Sequence, residues 1–182
     1  MPARRHVALL RGINVGGRNP VAMADLRGAL EAAGYEAVST YIQSGNVLFR
    51  STTPAAQIEA HVEVLLERHL GFPLVVVVRS HAQLRAVVRH APAGFGDAPD
   101  TYFSDVVFLK GPLTTTEAMG VVGLREGVDQ AWPGRGVVYF ARLGAERTRS
   151  KLSQIIAKPE YQLMTIRSWT TTTKLLAMLD DG

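Results

Sequence analysis

The spacing of apolar residues alternates between strand and helix periods in the order β-α-β-β-α-β across residues 1–80, and the same order recurs after residue 100. Few architectures accept such an order. Val7 to Arg11 reads as a buried strand. Met23 to Ala33 sets Met23, Leu26, Ala29, Leu30 and Ala33 at helical spacing, with Gly34 as its stop. Val38 to Gln43 and Val47 to Arg50 flank Ser44-Gly45-Asn46 and predict a hairpin. Pro54 opens a helix with Ile58, Val62, Leu65, Leu66 and Leu70 on one stripe, closed by Gly71. The apolar, mostly β-branched run Leu74 to Val78 suits a strand buried on both faces.

In the second half, Ser80 caps a helix through about Arg89, and Ala91 to Asp100 is a Pro/Gly-rich connection. Phe103 to Leu109 is a strand, Thr115 to about Gly120 a short helix, and residues 125–132 with Gly136 to Ala141 a hairpin. Ser150 to Ala157 reads as a helix, Leu163 to Ile166 as a short strand and Thr171 to Leu179 as a closing helix. The expected fold is α+β: two ferredoxin-like β-α-β-β-α-β modules, each with helices on one face of an antiparallel sheet. The N-terminal module takes residues 1–80, and the C-terminal module with its closing helix takes residues 81–182.

Composition narrows the function classes. With 47% apolar and 20% charged residues the chain is an ordinary globular protein, and 182 residues suffice for one domain or two small ones. The absence of cysteine removes disulfides, thiolate metal sites and a cysteine nucleophile. Val7 to Leu10 is too short for a signal-peptide core, and no apolar run approaches a membrane span, so a cytoplasmic address without membrane association is expected. The net charge of +4 is unevenly placed. Arg142 to Lys174 holds seven cations and two acids, and residues 1–24 hold Arg4, Arg5, Arg11 and Arg18 with no acid. A solvated basic face and an anion-facing surface both fit this distribution.

Two segments break apolar runs with hydrogen-bonding residues: Arg11-Gly12-Ile13-Asn14-Val15-Gly16-Gly17 and Thr40-Tyr41-Ile42-Gln43-Ser44-Gly45-Asn46. Polar clusters at strand ends are how a scaffold presents a site. The glycines do not make a nucleotide loop. Gly17 is followed by Arg18-Asn19-Pro20 where a Walker loop needs Lys-Ser/Thr, and no third glycine opens a helix as a Rossmann turn requires. A loop needing positive φ is one reading of Gly12, Gly16 and Gly17, and a backbone anion nest the other. Because both segments follow strands that meet at one sheet edge, Asn14 and Gln43 are expected close together.

In the second half, Ser150 as an N-cap would set Arg149 and Lys151 at the positive end of a helix, an arrangement that a bound anion would relieve. Arg167-Ser168-Trp169 stands at a strand-to-helix junction, where Trp169 reads as a core plug or a stacking surface. The five histidines lack metal spacing, paired carboxylates are missing from the motifs, and Ser44 is not in a Gly-x-Ser-x-Gly elbow. No catalytic residue, metal or cofactor is assigned. The candidate ligand-binding residues are Arg11, Asn14, Gly16, Gly17, Gln43, Asn46, Arg149, Lys151 and Arg167, with the cations expected to converge on one electropositive concavity.

The run Val7 to Gly17, then Met23-Ala24-Asp25-Leu26-Arg27 and Thr40 to Val47, resembles the bacterial family catalogued as domain of unknown function 1697. Arg149-Ser150-Lys151-Leu152 and Thr165-Ile166-Arg167-Ser168-Trp169 with Lys174-Leu175 fit the same pattern, with Ser168 where the family usually has Asn. The resemblance implies two ferredoxin-like halves and no activity. Function is therefore read from the residues. A small anionic or phosphate-bearing ligand is the first reading, and a transferase-type enzyme that stabilises negative charge at the same site the second. A nucleic-acid-binding module is the third, against which stands the lack of an aromatic RNP1 pattern on the strands. A structural oligomerisation role is the fourth, and no oligomeric state is assigned.

Overall fold

The computed structural model describes residues 2–182. In its first half, strand β1 (Arg4–Arg11) is followed by helix α1 (Met23–Ala32), strands β2 (Glu36–Tyr41) and β3 (Asn46–Ser51), helix α2 (Ala55–Leu70) and strand β4 (Val75–Ser80). The sheet order is β2-β3-β1-β4 with antiparallel neighbours throughout. Alternation along the strands turns Ala8, Leu10, Val47, Phe49, Val76 and Val78 to one face. Ile58, Val62 and Leu66 of α2, spaced four apart, pack there with Leu26 and Leu30 of α1. Full burial of each such aliphatic side chain stabilises by about 1.5–3 kcal/mol. On the opposite face Val7, Leu9, Leu48 and Val77 are buried as well.

Helix α3 (His81–Arg89) leads into the second half, which comprises β5 (Tyr102–Leu109), α4 (Thr115–Val121), β6 (Asp129–Gly134), β7 (Val137–Leu143), β8 (Met164–Ser168) and α5 (Trp169–Asp181). Its sheet order, β6-β7-β5-β8, repeats the first sheet strand for strand, again antiparallel. Its core joins Val107, Leu109, Val138, Phe140 and Met164 to Ala118, Val122, Leu152 and Ile155. The expected pair of ferredoxin-like modules is what the chain forms.

The expected helix over Ser150 to Ala157 is not α-helical. Three consecutive 3-10 segments, Gly144–Arg149, Leu152–Ala157 and Pro159–Leu163, take its place. Ser150 is extended at φ −60° and ψ 144°, and the Lys151 N–H donates to Asp129 Oδ2 at 2.8 Å, which ends the first segment. With three residues per turn, Leu152 and Ile155 then fall on the same side and both enter the core. Pro159 blocks any α-helical continuation. Helix α5 starts two residues earlier than expected, because the Ser168 hydroxyl accepts from the Thr171 N–H at 3.2 Å and caps it.

Two compact units divide the chain: residues up to Arg85 with Leu175–Gly182, and Ala86–Lys174. The last eight residues, read from the sequence as part of the 81–182 module, group with the first unit. Arg5 explains this by donating to the carbonyls of Leu179 and Asp180, as Arg50 does to Gly182 O at 2.9 Å. Asp180 adds an ion pair to Arg85 at 3.1 Å and a contact to His81 at 2.6 Å.

Candidate functional site

Where β1 ends, the chain enters a loop that doubles back on itself. Val15 and Arg18 form an isolated bridge around Gly16 and Gly17, the Arg18 N–H donating to Val15 O at 3.0 Å. Both glycines have positive φ, 57° and 73°, as a primed two-residue turn demands. That geometry accounts for the glycine pair without a nucleotide. Asn14, itself at φ 53°, braces the loop. Its Nδ2 donates to Val21 O and to Gln43 O, each at 2.9 Å, and its Oδ1 accepts from the Val21 N–H at 2.7 Å. Asn19 closes the base through Nδ2 to Gly12 O at 2.9 Å.

The β2–β3 connection is held as tightly. Asn46 is fully buried, its Nδ2 donating to Tyr41 O at 3.0 Å and to Ser44 Oγ at 2.9 Å. Gly45 O accepts from the Leu10 N–H at 2.9 Å, which ties this turn to β1. A Cβ on Gly45 would lie 2.8 Å from Ile13 Cδ1 and 2.9 Å from Leu10 Cβ, so only glycine lets the turn approach. Asn14 and Gln43 are thus brought together as expected, and the amides of Asn14 and Asn46 are spent on building the loops, Asn14 on backbone groups and Asn46 on Tyr41 O and Ser44 Oγ. Arg18, Gln43 and Ser44 face solvent, with Arg11 half-buried at the strand end.

Two features of this loop pair escape sequence reading. Val15 is 66% exposed and Ile42 50% exposed, so apolar side chains stand at both tips. Ile42 also adopts φ 49°, an outlier for a β-branched residue. Such strain persists only where the surroundings impose it and gathers at ligand-binding positions. Asparagine's tolerance of left-handed backbone was the readable signal for Asn14 and Asn19; nothing comparable marks Ile42.

In the second unit the candidate cations are differently employed. Arg149 pairs with Glu146 at 3.0 Å inside one 3-10 segment. Lys151 is half-buried and its backbone is anchored on Asp129. With no α-helix beginning at Ser150, the helix-dipole argument for these two cations falls. Arg167 is only 7% exposed and donates to Thr165 Oγ1 and Ile166 O, both at 2.9 Å. Burial pushes its pKa down to about 10, opposed by Tyr161, which leaves it charged at neutral pH. Trp169 packs edge-to-face on Phe95, 5.1 Å between ring centres, and Trp132 and Tyr139 meet the same ring. Trp169 is therefore a plug. Arg142 and Arg147 stand 5.9 and 5.7 Å from the exposed Phe103 ring, and Arg142 also lies 3.4 Å from Asp105, whose carboxyl burial pushes up.

Two four-stranded antiparallel sheets with helices between their strands define a protein of two ferredoxin-like modules. The chain belongs to the family described as Protein of unknown function (DUF1697), whose model matches residues 3–139. Among solved structures it is similar to the conserved bacterial protein SP0830 from Streptococcus pneumoniae. That similarity amounts to 29% identity and a TM-score of 0.85, over 97% of this chain and 99% of the other. No curated protein matches the chain. Among the described residues, no helix is long and apolar enough to cross a membrane.

Proposed function

We propose that the chain binds a small anionic, phosphate-bearing ligand on the paired loops of the first unit. The observation that carries this reading is the Asn14 bridge, which joins the Gly12 to Asn19 loop to Gln43 at 2.9 Å. A recognition surface fixed in advance loses less entropy when a ligand arrives. The sign of charge comes from the chain itself: residues 1–24 and 37–58 contain no acid, while Arg11 and Arg18 flank the loop. Gln43 and Ser44 add a side-chain amide and a hydroxyl, and Gly16 and Gly17 let a phosphate oxygen approach backbone N–H groups closely. Transfer chemistry would need a general base within hydrogen-bond reach of the ligand. Neither loop carries Asp, Glu or His, which favours binding over the transferase reading.

Calorimetric titration of inorganic phosphate and simple phosphate monoesters tests this reading. Wild type should bind, and Arg11→Ala with Arg18→Ala should weaken binding roughly tenfold, the scale of one or two charge-assisted hydrogen bonds. Arg149→Ala with Lys151→Ala asks the same of the second unit's cations. No binding by wild type, or equal binding by every variant, removes the anion-site reading. A nucleic-acid role is the second reading, favoured by exposed Tyr102 and Phe103 beside Arg142 and Arg147. It requires salt-dependent binding of single strands that Phe103→Ala weakens.

A further inference from the structure

At the other end of the β2–β3 hairpin from these loops, a cleft of about 230 Å³ opens beside the end of α1 and the middle of α2. Tyr35, Glu36, Arg50, Thr52, Thr53 and His61 line it. The strand register separates the two places: Glu36 pairs with Arg50 at the cleft, whereas Tyr41 pairs with Asn46 at the loops. Five residues of strand span roughly 17 Å. Between Glu36 and Ser39 the register slips, and Ala37 takes φ 50°. An irregularity of this kind bends a strand and re-aims its side chains, here at the rim of a cleft.

The wall is built around an aromatic pair. Tyr35 is buried, packs edge-to-face on Phe49 with ring centres 4.9 Å apart, and its hydroxyl is hydrogen-bonded to His61 Nδ1 at 2.7 Å. Burial pushes the tyrosine pKa up, so the hydroxyl keeps its proton. Arg50 is steadied by its bond to Gly182 O at 2.9 Å, and the Thr53 N–H donates to Ser51 Oγ at 3.1 Å.

We propose that this cleft binds a small neutral polyol of monosaccharide size. Its volume lies below the roughly 300–1,000 Å³ of sites for drug-sized ligands. Glu36 and Arg50 bring opposite charges to one rim, so the cleft selects no net charge, unlike the acid-free loops. The threonine hydroxyls both donate and accept, as do the hydroxyls of a polyol, and the Tyr35 hydroxyl keeps one bonding direction beyond its contact with His61. A carboxylate and a guanidinium supply the acceptor and the donors that fix its orientation, and the rings of Tyr35 and His61 offer an apolar wall to its C–H groups.

The test is an NMR titration of the full chain with glycerol, ribose, glucose and myo-inositol, and with inorganic phosphate as the anionic probe. At least one polyol should give saturable shifts at Tyr35, Thr52, Thr53 and the His61 ring, with Gln43 unmoved. Tyr35→Phe, which keeps the ring on Phe49, and Glu36→Gln, an exposed change that spares the core, should each weaken that binding roughly tenfold. The proposal is overturned if no polyol gives saturable shifts at these residues or if only phosphate does. Unchanged affinity in Glu36→Gln also overturns it, whatever Tyr35→Phe does to folding.

Discussion

Asn14 combines a left-handed backbone with three side-chain hydrogen bonds, and substitution can separate the two contributions. Asn14→Gly keeps the backbone conformation but forfeits the bonds, for an expected loss of about 2–3 kcal/mol. Asn14→Asp should cost more, because it aims a carboxylate oxygen at the Val21 and Gln43 carbonyls, where Nδ2 now donates. Urea unfolding of both variants checks the order, and an Asp variant as stable as the Gly variant would refute the bridging role. Ile42 is the opposite case. Its φ of 49° costs a non-glycine residue about 1–2 kcal/mol, and its side chain is half exposed. Ile42→Gly should therefore stabilise the fold by about 0.5–1 kcal/mol even after the extra chain entropy of glycine. Denaturation midpoints decide that, and a fall in stability would show that Ile42 is held by packing worth more than its strain.

At the start of α4, Thr114 Oγ1 accepts from the Glu117 N–H at 3.2 Å while the Glu117 carboxylate accepts from the Thr114 N–H at 2.8 Å. This capping box matters because α4 has only seven residues, too few to be helical on propensity. Thr114→Ala should cost about 1 kcal/mol in thermal or urea unfolding. At the other end of the chain, hydrogen bonds from His81 and Arg85 hold the Asp180 carboxyl below its ordinary value of 3.8. A carboxylate depressed in the folded state contributes stability above its unfolded pKa and loses it as pH falls through the folded one. Amide exchange across 175–182 should therefore quicken, relative to the rest of the chain, as pH drops below ~4. In Asp180→Asn that pH-dependent step should be missing. An identical profile in both proteins would remove the ion pair from the account.

For the molecule as a whole, the informative group is His6, buried in the central strand β1 and stacked on Phe49 at 5.8 Å. Burial pushes its pKa below 6.5, although the Arg4 carbonyl, which accepts from Nδ1, pulls the other way. The unfolded chain therefore takes up this proton at a higher pH than the folded one. The contribution of His6 to stability is therefore greatest above about pH 6.5 and declines as pH falls toward the folded value. His6→Phe, which keeps an aromatic ring against Phe49, should flatten the decline just below about pH 6.5. Urea unfolding across that range checks it, and an equally steep fall in the variant would assign the acid sensitivity to other groups.

The order of elements was legible in the sequence because burial imprints a local period on it. Ile58, Val62 and Leu66 state a helix face, and Phe103 to Leu109 a strand, without reference to anything distant. Prolines and glycines punctuate locally too, so Pro54 and Gly71 bound α2 where expected. Even the meeting of Asn14 with Gln43 followed from which strands end together. What only the tertiary structure decided depends on approach between residues far apart in the chain. The stretch after Leu143 carries helix-compatible residues, yet a carboxylate 22 positions away captures the Lys151 N–H and a 3-10 path results. Arg167, expected from the sequence to be a ligand-binding cation, is buried, because its strand lies against β5 and its guanidinium finds Thr165 Oγ1 and a backbone carbonyl. Tyr35 and His61, 26 positions apart, become a hydrogen-bonded pair only when α2 crosses the sheet. Periodicity records which face of an element is buried; which polar group meets which is set by the distances that folding creates.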